Sequence, residues 1–410
     1  MRRVLHAFNF REVQTPTFED LELFEKKAGP AIKDEIYAFK DKGERELCLR
    51  PELTLPVMRF YFTSELKMEP KPLKLFYFGP CYRYDRPQAG RYREFWQLGT
   101  EVVGDASPEA HAELLALALH LFDVAGLHNV VLRIGHLAIL RGLLETLVGI
   151  PVAQQGSLMR LIDKKQVDEL RVELRKRAPA EAVERFLAVF GMTSVDQLRG
   201  IELGEPAQKG VEHLRRVLEV LDGFGATKAT IQFDPSIARG LEYYSGLVFE
   251  LDCPDLGAEK QLLGGGEYDL SAVFDAQPVP TVGFGLGFDR TLIALERTGK
   301  PLAVDERVDV LVAALSPPAA PAAQRVAQAL RGLDLSVELD LGGRGPKKAL
   351  QRGSAVKARS AVLLGERELE RRVATLKNME SGEQKEVPLD ALAAAVQALL
   401  VREPAAKAAA

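Results

Sequence analysis

Cysteine is scarce in this 410-residue chain: Cys48, Cys81 and Cys253 lie far apart and no two form a CxxC pair. That spacing excludes a disulfide framework and a cysteine zinc site, and it fits a reducing compartment, so a cytoplasmic protein is expected. Long apolar runs are lacking too. None reaches the roughly 18 residues of a membrane helix; the richest, residues 391–401, is interrupted by Gln397 and reads as a C-terminal helix. Met1 to Phe10 carries two arginines but no apolar stretch of signal-peptide length, and no membrane partner is expected. The six histidines show neither HExxH nor clustered ligand spacing, which disfavours metal hydrolysis and leaves no metal ligand set. There is no Gly-x-Ser-x-Gly elbow, no P-loop and no solenoid period, so the usual signs of serine hydrolases, P-loop nucleotide enzymes and repeat arrays are missing. Neither sign of charge dominates: 54 Lys and Arg against 58 Asp and Glu leave −4, so any nucleic-acid surface must be local.

What is present is a globular composition, 47% apolar and 27% charged, over a length with room for two to four domains at about 100–200 residues each. The first 137 residues alternate strand-like and helical pieces; Glu46 to Leu49 alternates polar with apolar and runs into Arg50-Pro51-Glu52, placing those polar groups at a strand end. Residues 138–222 turn Leu-rich and charge-rich and read as a helical insertion. Strand character returns near Thr230 and runs to Gly287, followed by a helix from Phe288. A first domain over 1–300, a linker at 301–306, a domain over 307–402 and a disordered tail at 403–410 are expected. In the second domain strand, helix, strand, helix and strand alternate between Val308 and Leu364, the pattern of a small α/β domain with parallel strands.

Four polar clusters carry the candidate chemistry. Arg83, Arg86, Arg91 and Arg93 fall within eleven residues of a predicted hairpin whose loop is Pro87 to Gly90. On its second arm Phe95, Gln97, Gly99 and Glu101 share a face, gathering an amide and a carboxylate on one surface. An exposed hairpin with solvated charges is the competing reading. Arg239 sits in a turn ahead of Tyr243 and Tyr244, and a guanidinium there offers a planar fork to phosphate or carboxylate; an Arg-Gly turn followed by aromatic core is the plainer alternative. Gly264-Gly265-Gly266 precedes Glu267, Tyr268 and Asp269, which suits either close backbone approach to a ligand or an ordinary hairpin. Gly283, Gly285 and Gly287 alternate with apolar residues ahead of Arg290; the spacing fails a dinucleotide fingerprint and instead describes a strand against which something flat must lie.

In order and spacing, the extended segment ending at Pro16, the Arg83 hairpin and the Gly-alternating strand ending in Arg290 resemble motifs 1, 2 and 3 of class II aminoacyl-tRNA synthetases. The stretches 239–244 and 264–269 look like histidine-specific motifs of the histidyl-tRNA synthetase family, and the terminal domain is similar to that family's anticodon-binding domain, through residues 340–344 and 376–384. The resemblance implies an α+β catalytic domain on a mixed, mainly antiparallel sheet with a helical insertion, plus a C-terminal α/β domain. It implies activation of L-histidine with ATP and Mg²⁺ and transfer to tRNA(His), by a homodimer. Carried over residue by residue, Glu52 and Thr54 hold the ammonium group, Gln97 contacts the amino acid, Glu101 and Tyr244 read the two imidazole nitrogens, and Tyr268 lines the same pocket. Arg83 meets the α-phosphate, Arg290 the γ-phosphate, Arg239 the reacting carboxylate and phosphate, and Asp85 lies near adenine where the family has Glu.

Departures are Leu55, Glu242, Ser245 and Asp289, together with Glu267, which replaces an Arg and is expected to reverse a charge beside the pocket. The family also has an upstream Arg-Gly-x-Arg-Asp stretch and a long interface helix. The ten residues ahead of Arg11 do not contain them, which bears on both dimer stability and full activity. A basic run, Arg344, Lys347, Lys348, Arg352, Lys357 and Arg359, has no acidic residue within it; at helical spacing Lys348, Arg352 and Arg359 approach one face, suiting an RNA backbone, against the alternative of a solvated helix face. The competing function is the synthetase-like regulatory subunit of ATP phosphoribosyltransferase, which senses histidine without charging tRNA. That paralogue generally lacks the anticodon-binding domain and erodes the catalytic motifs.

Overall fold

The structure is a computed structural model that describes residues 1–85, 91–225, 230–238, 244–299, 307–342 and 345–401. The chain divides into two units, Met1–Leu302 and Ala303–Ala410. Among the described residues no helix is long and apolar enough to cross a membrane.

The strands of the first unit are β1 (Arg11–Glu12), β2 (Phe18–Asp20), β3 (Ala38–Lys40), β4 (Glu46–Leu49), β5 (Leu73–Tyr82), β6 (Glu94–Val103), β7 (Val131–His136), β8 (Thr230–Phe233), β9 (Tyr244–Asp252), β10 (Gln261–Tyr268) and β11 (Thr281–Gly287). Eight of them form one sheet in the order β1-β5-β6-β11-β10-β9-β7-β8, and β2-β4-β3 form a small sheet beside it. The inner pairings are antiparallel and only the outermost, β1 with β5 and β7 with β8, are parallel. This is the mixed, mainly antiparallel sheet anticipated.

The helices are α1 (Arg2–Ala7), α2 (Leu21–Ala28), α3 (Thr54–Thr63), α4 (Pro108–Ala125), α5 (Leu137–Val148), α6 (Gly156–Asp163), α7 (Val167–Arg175), α8 (Ala180–Ala188), α9 (Glu205–Gly223) and α10 (Phe288–Arg297). A parallel pair cannot be closed by a hairpin, so β7 reaches β8 through a long crossover. The helices α5 to α9 are that crossover, and Leu140, Leu143, Phe186 and Leu214 from them share one core with Leu132, Ile134 and Phe249 of the sheet. Helix boundaries follow local chemistry. The Ser107 hydroxyl accepts from Ala110 N–H at 3.2 Å with Pro108 in the first turn of α4, and Gly126 ends that helix at φ 87°.

Three glycines explain how side chains lie flat on this sheet. Opposite Tyr77, a Cβ on Gly99 would stand 2.3 Å from the tyrosine oxygen; on Gly283 it would stand 1.7 Å from Glu101 Oε2; on Gly285 it would stand 2.3 Å from Gln97 Nε2. The flat object expected over the Gly-alternating strand is therefore the protein's own Glu101 and Gln97.

The second unit has β12 (Val310–Ala314), β13 (Val337–Asp340), β14 (Ser360–Leu364), β15 (Val373–Asn378) and β16 (Gln384–Pro388), with α11 (Ala320–Arg331), α12 (Pro346–Ala355), α13 (Glu366–Glu370) and α14 (Leu392–Val401). Strands β13, β12 and β14 are parallel, and β12 and β14 are buried along their whole length, as strands covered on both faces must be. The expectation of parallel strands stopped at Leu364. Beyond it, β15 and β16 add an antiparallel hairpin, so the sheet is mixed. Its turn is built by Asn378, whose Oδ1 accepts from Glu380 N–H at 2.8 Å and Ser381 N–H at 3.0 Å, and by Gly382 at φ 76°.

Behind the large sheet, His111 of α4 and His136 at the end of β7 each meet His213 of α9, at ring distances of 4.9 and 5.6 Å. Burial holds His111 down to about 4 and His136 down to about 3, and lowers His213. The unfolded chain, with histidine near 6.5, binds protons that the folded chain refuses. The contribution of this histidine cluster is thus full above about 6.5 and declines as pH falls toward 4, while Glu101, raised to about 8, and Glu267, also raised, act in the opposite sense. His136→Asn keeps an acceptor for the Ala138 N–H that His136 Nδ1 now caps at 3.2 Å. Melting curves between pH 7 and 5 should fall less steeply in that variant than in wild type.

The glycines give a second prediction. Gly283→Ala meets the Thr100 carbonyl as well as Glu101 and should lose about 1–3 kcal/mol or more. Gly285→Ala meets only the far end of Gln97 and should melt close to wild type. Equal melting of the two variants would contradict this account.

Candidate active site

The centre of the site is Glu101 on β6, only 1% exposed. Its Oε1 accepts from the Tyr77 hydroxyl at 2.9 Å and its Oε2 from the Tyr268 hydroxyl at 2.6 Å. Burial drives this carboxyl up to about 8, opposed by the two phenol hydrogen bonds. The Tyr77 oxygen also meets Thr54 Oγ1 at 3.0 Å, and burial raises Tyr77 well above the usual phenol range, so it stays neutral. The Tyr244 ring stands edge-on to Tyr268 at 6.2 Å.

Glu52 lies just ahead of α3 and caps it. Its Oε2 accepts from Thr54 N–H at 2.6 Å and its Oε1 from Leu55 N–H at 3.1 Å, while Lys27 of α2 stands 3.3 Å from Oε1 with both side chains largely buried. Gln97 Oε1 accepts from the Cys81 thiol at 3.3 Å; burial pushes that thiol up to about 12, which keeps it a protonated donor. The amide nitrogen is thereby left toward Gly285. One continuous chain of hydrogen bonds, Glu52 to Thr54 to Tyr77 to Glu101 to Tyr268, thus joins residues from four separate segments.

Two of the expected arginines are held by backbone oxygens. Arg83, just past β5, is exposed; its Nε donates to Pro51 O at 3.0 Å and its guanidinium covers the Phe95 ring at 5.0 Å, which sets the fork beside Glu52. Asp85 contributes its backbone oxygen to Arg93 Nε at 3.3 Å. Arg290, in the first turn of α10, donates to Gln261 O at 3.2 Å, and its neighbour Asp289 accepts from Trp96 N–H at 2.6 Å, fastening α10 to β6. Arg86, Arg239, Glu242 and Arg344, the expected linker 301–306 and the expected tail 403–410 lie outside the described residues.

Two expectations are corrected. Glu267 does not flank the pocket: it precedes Tyr268 on β10 and projects from the opposite face, 3.7 Å from His111 Nε2. The basic run does not continue as one helical face either. Helix α12 stops at Ala355, and Lys357 turns the chain at φ 51° before β14 begins. Arg352 binds Glu338 at 2.8 Å, and Arg359 donates to Leu400 O at 3.1 Å and stands 3.5 Å from Asp309. Lys347 and Lys348 remain exposed at the start of α12. Residues not anticipated are Tyr77, Lys27 and Cys81. Tyr77 had a signal in the sequence, since a glycine on the facing strand of a hairpin leaves room for a large ring; nothing marked Lys27.

Comparison with known proteins follows the same division. The family described as Histidyl-tRNA synthetase matches residues 1–291, and the Anticodon binding domain matches residues 309–399. A histidine–tRNA ligase of Methanosphaerula palustris is 40% identical over 391 residues, covering 95% of this chain and 91% of the relative. Apo histidyl-tRNA synthetase of S. aureus has a TM-score of 0.70 at 27% identity, covering 97% of this chain and 93% of that one. The Bacillus halodurans C structure titled as an ATP phosphoribosyltransferase regulatory subunit/histidyl-tRNA synthetase has a TM-score of 0.72 at 24% identity, covering 89% and 92%, and shares the fold. A family match through nearly all of the first unit, a second match through the terminal domain and 40% identity along nearly the full length leave one conclusion: the chain belongs to the histidyl-tRNA synthetase family.

Proposed function

We propose that this protein activates L-histidine with ATP to histidyl-adenylate and transfers histidine to the 3′ end of tRNA(His), releasing AMP and pyrophosphate. The observation that carries the reading is the pair of carboxylates, Glu52 and Glu101, linked through Thr54 and Tyr77. Such a pair suits a ligand with an ammonium group at one end and a ring N–H at the other. Glu52 and Thr54 receive the ammonium, Gln97 contacts the amino acid, Glu101 and Tyr244 read the imidazole nitrogens, and Tyr268 orients Glu101. Arg83 and Arg239 hold the approaching carboxylate and α-phosphate, Arg290 the γ-phosphate, and Asp85 lies toward adenine.

Two anions must meet in this reaction, and cationic forks offset their repulsion as charge develops. The carboxylate is already ionised at neutral pH, so positioning and charge stabilisation suffice without a general base. Mg²⁺ would enter on the ATP phosphates, a mode that requires only one or two protein carboxylates. The cytoplasm and a homodimer complete the proposal. The anticodon-binding match over residues 309–399 favours charging over a purely regulatory role.

Histidine-dependent ATP–pyrophosphate exchange, run against all twenty amino acids, tests the activity; exchange with another amino acid alone would overturn it. Arg239→Lys should reduce exchange by about 10²–10³-fold, because a point charge does not reproduce a bidentate fork. For the terminal unit, the exposed pair Lys347 and Lys348 is the better candidate for RNA contact than the ion-paired Arg352 and Arg359. Replacing both lysines with alanine should lower the slope of log affinity for tRNA(His) against log salt by about 1–2 while leaving adenylate formation intact. A filter-binding salt series decides it, and an unchanged slope would make this pair plain solvated surface.

A further inference from the structure

We propose that Tyr77 is a specificity-determining residue that couples the two ends of the substrate, its one hydroxyl setting both Thr54 and Glu101 as hydrogen-bond acceptors toward the ligand. This rests on the function proposed above and extends it to a residue on β5 that none of the assigned roles includes. Tyr77 is 1% exposed, and its ring lies over Gly99, the facing residue of β6, where any side chain would collide with it. Its oxygen meets Thr54 Oγ1 at 3.0 Å and Glu101 Oε1 at 2.9 Å.

A phenol has a single proton to give. When it goes to the Glu101 carboxylate, the hydrogen in the Thr54 contact must come from Thr54. The threonine oxygen then has lone pairs and no hydrogen for a ligand, which suits an ammonium group, while the anionic Glu101 suits an imidazole N–H. Protonating Glu101 allows the chain to reverse: Glu101 donates to Tyr77, Tyr77 to Thr54, and Thr54 turns a hydrogen toward the incoming ammonium. The two subsites therefore switch together. The groups facing Glu101 are Tyr77 from β5, Tyr268 from β10, Thr54 from α3 and, through its charge, Glu52, with Tyr244 packed on Tyr268 and Lys27 on Glu52. Burial sets Glu101 near 8, the phenol bonds oppose that rise, and removing one raises it again.

The test uses the full-length protein and calorimetry between pH 7 and 9 with two ligands, L-histidine and 3-(imidazol-4-yl)propionate, which lacks the ammonium group. In wild type, histidine affinity should rise with pH and flatten near 8. Tyr77→Phe should weaken histidine by about 10–100-fold, weaken the propionate clearly less, and move the flattening to higher pH. In exchange assays the loss should fall on KM with kcat little changed. Equal losses for the two ligands, or an unmoved pH profile, would overturn the proposal. Thr54→Val, set against Thr54→Ser, asks the same question from the other end: only the valine variant should lose histidine selectively over the propionate, and equal loss in both would again overturn it. Histidine-dependent exchange by the wild-type protein, measured first, tests the functional reading separately.

Discussion

A carboxylate buried in the middle of a β-sheet dominates this structure. Leaving Glu101 ionised and unpaired there would cost several kcal/mol, on the order of the stability of a whole domain. The fold answers with space and donors. Gly283 removes the side chain that would occupy the Glu101 position, Gly99 admits the Tyr77 ring, and phenols from β5 and β10 deliver one hydrogen bond to each oxygen. The strand order follows from the same demand, because β5, β6, β11 and β10 must be neighbours for those two hydroxyls to reach one carboxylate.

Other charges secure the surroundings without entering the site. Arg50, 3% exposed, donates to Thr15 O at 2.6 Å, Pro16 O at 3.1 Å and Pro80 O at 2.9 Å, pinning the segment after β1 and the end of β5 to the strand-to-helix corner that carries Glu52. Arg59 forms a two-pronged pair with buried Glu19 at 2.7 and 2.8 Å, tying α3 to the small sheet. Satisfied so completely, these arginines are poor candidates for substrate contact. Arg83 is exposed and is held only by its Nε on Pro51 O and by the Phe95 ring beneath its guanidinium.

Much of this was legible in the sequence, and the failures share a cause. The hairpin around residues 83–94 and the helical stretch after residue 137 follow from local alternation, whereas the grouping of Glu52, Thr54, Glu101 and Tyr268 came from the resemblance to the synthetase family. Tyr77 escaped because a tyrosine in Leu-Phe-Tyr-Phe looks like core, and only the facing Gly99 and the distant Thr54 reveal what its hydroxyl does. Glu267 was placed on the wrong face because proximity in sequence to Tyr268 was read as proximity in space, whereas neighbours on a strand point apart. The basic run was treated as one helix although Lys357 adopts a left-handed turn that nothing in its residue type announces. Partners supplied by tertiary contact, and the exact end of a helix, are what local pattern encodes least.

The distribution of polarity also accounts for selectivity. Arg83, proposed to meet phosphate, sits at the exposed margin, where water screens it and a mismatch is tolerated. The groups assigned to histidine lie inside: Glu101, Tyr77 and Tyr268 have already exchanged water for one another. A ligand lacking the ring N–H would leave a buried carboxylate short of a donor, and recognition of this kind rejects such analogues by about 10⁴–10⁵. Discrimination can therefore reside in the same buried hydrogen-bond chain that stabilises the sheet, and a separate step to remove mischarged product is not required by this chemistry.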